Sequence, residues 1–232
     1  MYTISVIIPA YNESESIVQL IQYLQKHGQH FLKEIIVVDG GSTDETVVLA
    51  RRLISNVFVS PQKGRAAQMN HGAEMATGDI LYFVHADTYP PASYTTDIIQ
   101  AIEAGYLFGR YRTKFNSPKK ILKLNAWFTR FDLFICYGGD QTLFMTRALF
   151  DQIGGFDDQM RIMEDYDIVL RAKKIKARYK IFSKPVLVSA RKYETNSWLR
   201  VQTANYIIIR MYKKGAVQEA MIHRYKTLLN YR

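Results

Sequence analysis

The chain has 232 residues, of which 48% are hydrophobic, and this length supports one sizeable core but not two ordinary domains. Its one cysteine, Cys136, excludes an internal disulfide and favours a reducing, cytoplasmic compartment. The 31 basic and 21 acidic residues give a formal net charge of +10, which favours an anionic partner such as a nucleotide phosphate or a phospholipid surface.

The amino-terminal and apolar segments predict neither a secretory signal nor a membrane span. Residues 1–9 lack a basic region followed by a cleavage site, and they run straight into a strand-like segment. No uncharged apolar run reaches the roughly 18 residues that indicate a spanning helix. We therefore expect a cytoplasmic chain, either free or at the inner face of the membrane.

The first 90 residues alternate between strand and helix patterns. Strands are predicted at residues 4–8, 35–38, 57–59 and 80–84. Asn12 with Glu15, and Ser42 with Glu45, have the spacing of capping boxes that begin two helices, and a third helix is predicted over residues 64–76. This alternation is typical of an α/β fold with an open, mostly parallel sheet and helices on both faces.

After Pro90 and Pro91 the alternation weakens. The later patterns predict an extended segment at 106–115, an amphipathic or interfacial helix at 122–134, a strand at 143–145 followed by a helix that ends at Gly154-Gly155, and helices at 164–174, 198–213 and 216–229. We interpret residues 1–232 as a single domain. Its parts are a nucleotide-binding half (1–90), an acceptor and catalytic half (91–195) and C-terminal helices (196–232).

Polar residues follow three of the predicted strands. They are Pro9-Ala10-Tyr11-Asn12-Glu13, Asp39-Gly40-Gly41-Ser42-Thr43-Asp44 and His85-Ala86-Asp87. Each string alone is ordinary turn chemistry. Ligands of open parallel sheets bind at the carboxyl ends of the strands, so the three strings together predict a nucleotide pocket.

The first two strings, with Ile8 and Val38 before them, resemble the opening of the GT-A glycosyltransferases of the large inverting family two. Residues 63–70, 85–88, 139–141 and 163–165 resemble a bacterial subgroup, the radical-SAM/selenodomain-associated transferases. The resemblance extends from residue 4 to about residue 215. It implies transfer of a sugar with inversion, from a nucleotide-diphosphate donor (a UDP-sugar is favoured) to an acceptor hydroxyl.

The resemblance also implies roles for individual residues. The donor is expected to contact Pro9, Tyr11, Glu13, Asp39, Lys63, Gly64, Arg65 and Ala86. Asp87 is the expected ligand of Mg²⁺ or Mn²⁺, although the wider family usually has Asp-x-Asp where this chain has His85-Ala86-Asp87. Lys63, Gly64 and Arg65 also form a basic loop at the start of a predicted helix, whose amino terminus suits an anion.

The resemblance makes Asp165 the catalytic base, with Glu164 as the second candidate; alone, these acids would indicate only favourable helix-dipole electrostatics. Asp140 and Gln141 are expected either to line the acceptor or sugar pocket or to cap a turn. Arg191 and Lys192 stand where the family often has an Arg-Trp pair for the diphosphate, and an exposed basic strand end is the alternative interpretation.

Three alternatives to a transferase remain open at this point. They are a sugar-1-phosphate nucleotidyltransferase, a nucleotide-binding relative without turnover, and a nucleic-acid-binding module. The last is disfavoured because the chain has no recognised nucleic-acid motif, so no nucleic-acid partner is expected. Lipid, glycan and small-molecule acceptors all remain open, as does the oligomeric state. The aromatic and basic C-terminal helices suggest peripheral membrane contact.

Overall fold

The computed structural model describes residues 1–138 and 141–229. Within them the strands are β1 Ile4–Ala10, β2 Leu32–Asp39, β3 Val57–Val59, β4 Ile80–Phe83, β5 Thr88–Tyr89, β6 Phe108–Asn116, β7 Leu143–Thr146 and β8 Tyr179–Ser189. The helices are α1 Ile17–Gly28, α2 Thr46–Arg51, α3 Arg65–Met75, α4 Tyr94–Glu103, α5 Lys120–Phe128, α6 Arg147–Gln152, α7 Glu164–Lys174, α8 Lys192–Thr195, α9 Trp198–Lys213 and α10 Gln218–Leu228.

The strands of the described residues form one sheet in the order β3-β2-β1-β4-β7-β6-β8-β5. Strands β1 to β4 are parallel, β7 runs antiparallel to both β4 and β6, β8 is parallel to β6, and β5 is antiparallel to β8. The predicted α/β fold, an open and mostly parallel sheet of the GT-A type, is confirmed. Strand β1 lies between β2 and β4, so the carboxyl ends of these three strands share one edge.

Apolar residues cover both faces of the sheet, as a doubly wound fold requires. Every residue of β1 is buried, and its side chains alternate between two cores. Ile8 packs with Leu20 of α1 and Ile98 of α4, whereas Ile7 faces Met69 of α3 on the other side. The prediction of helices on both faces is therefore also confirmed.

Both predicted capping boxes are wrong. Helix α1 begins at Ile17, and Asn12, with a φ of 53°, accepts a hydrogen bond from the backbone N–H of Thr43 instead. Ser42 accepts one from the backbone of Asn12, while α2 begins at Thr46. Because β1 and β2 end side by side, polar side chains in the two loops reach each other, and these bonds compete with capping of the nearest helix.

The second half of the chain differs more from expectation. The helix predicted over 122–134 ends at Phe128, and only a single 3₁₀ turn follows, at Phe134–Cys136. Strand β8 was not predicted, nor were β5, α4 and α8. Strand β8 pairs with β6 along its length, with a register shift next to Pro185, a residue that disrupts a strand pattern in the sequence. In the part of the chain that the structure describes, no helix has the length and apolar character needed to cross a bilayer.

Candidate active site

The loops that follow β1 and β2 are held together by hydrogen bonds from backbone N–H groups to side chains. Four such bonds of 2.8–3.1 Å run from Asn12 to Ser42, from Thr43 to Asn12, from Glu13 to Thr46 and from Ser14 to Asp44. Burial opposes ionisation of Asp44, but its hydrogen bonds with Thr46 and Ser14 prevail and lower its pKa to about 2. The two loops therefore form one braced wall at the edge of the sheet.

Asp39, the last residue of β2, is only 2% exposed. Its Oδ2 accepts the backbone N–H groups of Gly41 and Ser42, each at 2.9 Å. Its Oδ1 is buried and has no hydrogen-bond partner among the described residues. A buried carboxylate oxygen without a donor is costly, so this atom is suited to accept an N–H or O–H from a ligand. Tyr11 is exposed at the rim of the same edge, whereas Pro9 is buried within β1.

Gln68 of α3 supports this wall from beneath. Its buried Nε2 donates to the carbonyl oxygens of Ala10 and Val38, both at 2.8 Å, which holds the ends of β1 and β2 in register. A Cβ at position 40 would lie 3.0 Å from that nitrogen, so Gly40 leaves room for the amide. We did not predict this role. The available signal was a polar residue on a helix face otherwise built from Ala66, Ala67 and Met69.

Arg191 joins two of the predicted site residues. Its Nη2 donates to Glu13 Oε1 and Oε2 at 2.8 and 3.0 Å and to Asp87 Oδ2 at 3.1 Å. The backbone N–H of Ser189 donates to the carbonyl of Asp87, which places the end of β8 beside that residue. Burial alone would lower the pKa of Arg191, but the bonds and charges of the two carboxylates raise it above its ordinary value. Glu13, Asp87 and Arg191 thus form one polar cluster.

The described residues contain no group of three or more His, Cys, Asp or Glu side chains arranged to hold a metal ion. They do fit a cation that takes most of its ligands from phosphates and water, as Mg²⁺ does when one or two carboxylates bind it. Asp87 is partly exposed, and within the described ranges its Oδ1 has only a 3.4 Å contact, with the hydroxyl of Thr88. Its neighbour Ala86 is buried.

The beginning of α3 contacts the beginning of α7 through an ion pair. Arg65 Nη2 lies 2.8 Å from Glu164 Oε1; the Arg65 side chain is 42% exposed, whereas that of Glu164 is fully buried. This burial and pairing disfavour Glu164, our second candidate, as a base that meets an acceptor. Lys63 is exposed on the loop before α3, and Gly64 has a φ of 129°, which favours glycine there.

Asp165 follows in the first turn of α7 and is partly exposed. The residue before this helix, Met163, has a φ of 70°. A left-handed conformation is uncommon for a residue other than glycine, and such strain concentrates at functional sites. Asp167 instead pairs with Arg171 at 2.7 Å, one helical turn further on. The strained entry thus presents Asp165 and Glu164 in different environments, one partly exposed and one buried.

The connection into α7 is held by two amide side chains that we had not assigned a role. Asn70 of α3 exchanges two 2.8 Å hydrogen bonds with the backbone of Phe156, as another strand would. Gln218 of α10 accepts the backbone N–H groups of Arg161 and Ile162 at 3.1 and 3.2 Å. Helices on either side therefore fix the loop that positions Asp165.

Three predicted residues remain: Asp140, Gln141 and Lys192. Asp140 lies outside the described residues. Gln141 donates from Nε2 to the carbonyl of Cys136 at 2.7 Å, and its Oε1 is buried without a hydrogen-bond partner among the described residues. Lys192 is the first residue of α8 and is partly buried, and its carbonyl accepts a hydrogen bond from Asn196.

The sequence profile of glycosyl transferase family 2 matches residues 5–161, well over half of the chain. The chain belongs to glycosyl transferase family 2. This confirms the predicted family. The comparisons do not resolve the radical-SAM/selenodomain-associated subgroup, which stays a prediction. The matched region ends before Glu164 and Asp165, so the assignment of a base depends on the geometry of α7.

Two curated relatives illustrate the likeness within glycosyl transferase family 2. The chain is 34% identical over 107 residues to dolichol-phosphate mannosyltransferase of Pyrococcus furiosus, across 44% of the chain and 30% of that protein. It is 28% identical over 172 residues to the PGL/p-HBAD biosynthesis glycosyltransferase of Mycobacterium bovis, across 67% of the chain and 60% of that protein. The chain therefore spans less than two thirds of each of these relatives.

Among solved structures, the mannosyltransferase PcManGT from Pyrobaculum calidifontis in complex with GDP-Man and Mn²⁺ aligns with a TM-score of 0.67. The alignment covers 98% of the present chain and 70% of the mannosyltransferase chain, at 18% sequence identity. At this identity the likeness establishes the shared fold.

Proposed function

We propose that the chain transfers a sugar from a nucleoside-diphosphate donor to an acceptor hydroxyl with inversion at the anomeric carbon. The observation that carries this proposal is the cluster of Glu13, Asp87 and Arg191 at the carboxyl edge of the sheet. Contacts connect this cluster to the loop after Asp39 and to the first turn of α7. The Glu13 loop is bonded to the loop after Asp39, and α3 reaches from beneath that loop to the first turn of α7.

The donor base and ribose are assigned to the wall formed by the first two loops. Asp39 Oδ1, buried and without a partner among the described residues, is an acceptor for an N–H of the base. Exposed Tyr11 offers an aromatic face beside it. Uracil and guanine both carry such an N–H, so this acceptor fits either base. We place UDP-sugars first on the resemblance and GDP-sugars second, because the structural neighbour was solved with GDP-Man.

The diphosphate is assigned to the basic side of the cleft. Lys63, Gly64 and Arg65 lie at the amino terminus of α3, where backbone N–H groups and the helix dipole favour an anion. Asp87 would hold Mg²⁺ or Mn²⁺, and a cation bound there would offset the charge that grows on the leaving nucleoside diphosphate. In the described contacts, Arg191 donates to the two carboxylates through Nη2 alone. We assign its other guanidinium N–H groups to the diphosphate.

Asp165 is assigned as the base. It takes the proton of the acceptor hydroxyl while that oxygen forms a bond to the anomeric carbon and the bond from that carbon to the phosphate oxygen breaks. Its partial exposure at the start of α7 allows contact with an acceptor, which the buried Glu164 lacks. Gln141 and the neighbouring Asp140 are assigned to the acceptor side.

The experiment that tests this proposal measures which phosphate product appears. The purified chain is incubated with UDP- and GDP-sugars, with Mg²⁺, Mn²⁺ or a chelator, and with panels of lipid, glycan and small-molecule acceptors. We expect release of nucleoside diphosphate that depends on the cation. Release of pyrophosphate from a sugar phosphate and a nucleoside triphosphate would instead identify a nucleotidyltransferase. Donor binding without release for any acceptor would favour a non-catalytic relative.

A further inference from the structure

Helix α5 and the segment after it expose a group of large apolar side chains together with basic ones. We call this surface the apolar–basic face. Its apolar members are each between 36% and 61% exposed and comprise Ile121, Leu124, Trp127, Phe128, Phe131, Leu133 and Ile135. Lys120, Lys123 and Arg130 are exposed among them. Contiguous exposed apolar groups of this kind on a monomer mark an interaction site.

The backbone beneath this face is firmly anchored. The buried guanidinium of Arg110 on β6 donates to the carbonyls of Thr129 and Phe131 at 2.7 and 3.1 Å. The hydroxyl of Thr129 accepts the backbone N–H of Thr113 at 3.0 Å, and Leu122 buries the inner side of α5. The apolar side chains therefore remain exposed although the backbone that carries them is fixed to the sheet.

Aromatic rings dominate the centre of the face. The ring of Trp127 lies 5.2 Å from that of Phe128 and 4.8 Å from that of Phe131, measured between centroids. The guanidinium of Arg130 lies 4.9 Å above Trp127. Tryptophan and phenylalanine beside lysine and arginine are typical of helices that lie in the interface of an anionic bilayer. The one acidic residue among the described residues of this segment, Asp132, is paired with Lys173.

We propose that the apolar–basic face docks the protein on the surface of an anionic phospholipid bilayer, without crossing it. The charge of the three basic side chains and the net charge of +10 complement such a surface. This docking is separate from the proposed transfer reaction and does not depend on it. Residues 134–136 at the end of the face lead into the acceptor side, since the carbonyl of Cys136 holds Gln141. Docking would therefore bring the acceptor side close to the lipid headgroups.

This location differs from the C-terminal helices, where we had expected membrane contact. Helix α9 buries Val201, Ala204 and Ile208 against the rest of the protein. Its most exposed large apolar residues, Leu199 and Tyr206, are seven positions apart and form no cluster comparable with that of Trp127. Substitution of these two residues provides a matched control, because it removes exposed apolar surface from a different part of the protein.

The test is co-sedimentation of the full chain with vesicles of phosphatidylcholine alone and with vesicles of equal parts phosphatidylcholine and phosphatidylglycerol. We expect binding only to the anionic vesicles, weakened by salt. Trp127→Ser combined with Ile135→Ser should reduce binding about tenfold or more. Lys120→Gln combined with Lys123→Gln should reduce it by about fivefold for each charge removed. Leu199→Ser combined with Tyr206→Ser should leave it unchanged.

Absence of binding to anionic vesicles, or equal binding by the Trp127 and Ile135 double variant, would overturn the proposal. So would a dimer that this variant converts to a monomer in light scattering, because the face would then be a contact between two copies. Thermal melting checks that each variant folds. If the double variant does not fold, Trp198→Phe leaves Trp127 as the only tryptophan. Its emission must then shift to the blue with anionic vesicles, and an unchanged spectrum refutes docking.

Discussion

The ion pair between Arg65 and Glu164 predicts an unequal response to removal of its two members. The Glu164 carboxylate is fully buried, whereas the Arg65 side chain is 42% exposed. If Arg65 is replaced by methionine, a buried carboxylate loses its counter-charge. If Glu164 is replaced by glutamine, the guanidinium is left at a position where water can solvate it. We expect Arg65→Met to lower the free energy of unfolding more than Glu164→Gln does.

The size of the effect follows from the distance and the exposure. At 2.8 Å and an effective dielectric constant of about 20, the attraction is about 6 kcal/mol. The contact is close but poorly aligned as a hydrogen bond, since neither carboxylate oxygen has a hydrogen-bond partner by geometry among the described residues. With the exposure of Arg65, this reduces the expected loss to about 3 kcal/mol for Arg65→Met. For Glu164→Gln we expect about 1 kcal/mol.

The assay is urea unfolding of the wild type, the two single variants and the double variant, followed by circular dichroism. The double variant should lose less than the sum of the single losses, because the second change removes the group left uncompensated by the first. Equal losses in the two single variants, or losses that simply add, would refute the reasoning. Nucleotide-sugar binding measured on the same four proteins separates stability from any direct contact of Arg65 with the donor.

Three further predictions test the site and its supporting loops. Asp165→Asn should reduce turnover by about 10²–10⁴-fold while nucleotide affinity stays nearly unchanged, as measured by initial rates and calorimetry; near-normal turnover would contradict the base assignment. Asp87→Ala should abolish the increase in donor affinity that Mg²⁺ or Mn²⁺ produces, in a thermal-shift titration with Asp151→Ala on α6 as the control. Because the pKa of Asp44 is lowered to about 2, its contribution to stability is present above pH about 4 and lost as the pH falls towards 2. The difference in stability between wild type and Asp44→Asn should therefore shrink across that window in acid-unfolding curves.

The parallel half of the fold was predictable because its signals are local. Buried parallel strands are continuous apolar runs, and β1, β2 and β4 each contain one. Helix α7 was predicted with its observed bounds because Ile168, Val169 and Ala172 repeat at helical spacing. Strand β8 was missed for the opposite reason. It carries Lys180, Lys184 and Pro185, and its strand conformation depends on pairing with β6, far away in the sequence.

The capping boxes failed for a related physical reason. Asn12 and Ser42 have the residue types and spacing that cap helices. The capping-box rule takes into account only the three residues that follow the cap. Their actual partners lie in the neighbouring loop, about 30 residues away in the chain. Spacing in the sequence identifies nearby hydrogen-bond partners, but it does not identify partners that the fold brings together from distant parts of the chain. The same residues were therefore correctly placed at the strand ends but given the wrong partners.

The polar cluster of Glu13, Asp87 and Arg191 was only partly predictable from the positions of the strand ends. The rule that parallel strands end at one edge brings Glu13, Asp39 and Asp87 to the same side of the sheet without any coordinates. It does not supply the counter-charge of Glu13 and Asp87, because Arg191 is separated from Glu13 by 178 positions and follows the unpredicted strand β8, which ends at Ser189. Two carboxylates at that edge without a cation would repel each other. In the structure the guanidinium of Arg191 supplies the positive charge that offsets this repulsion. A divalent cation that binds Asp87 together with the donor diphosphate would also supply positive charge there. Binding of the donor should therefore loosen the bond between Arg191 and Asp87. Because Arg191 is also assigned to the diphosphate, Arg191→Gln should lower the free energy of unfolding of the donor-bound protein at least as much as that of the donor-free protein, as measured by urea unfolding with and without the donor.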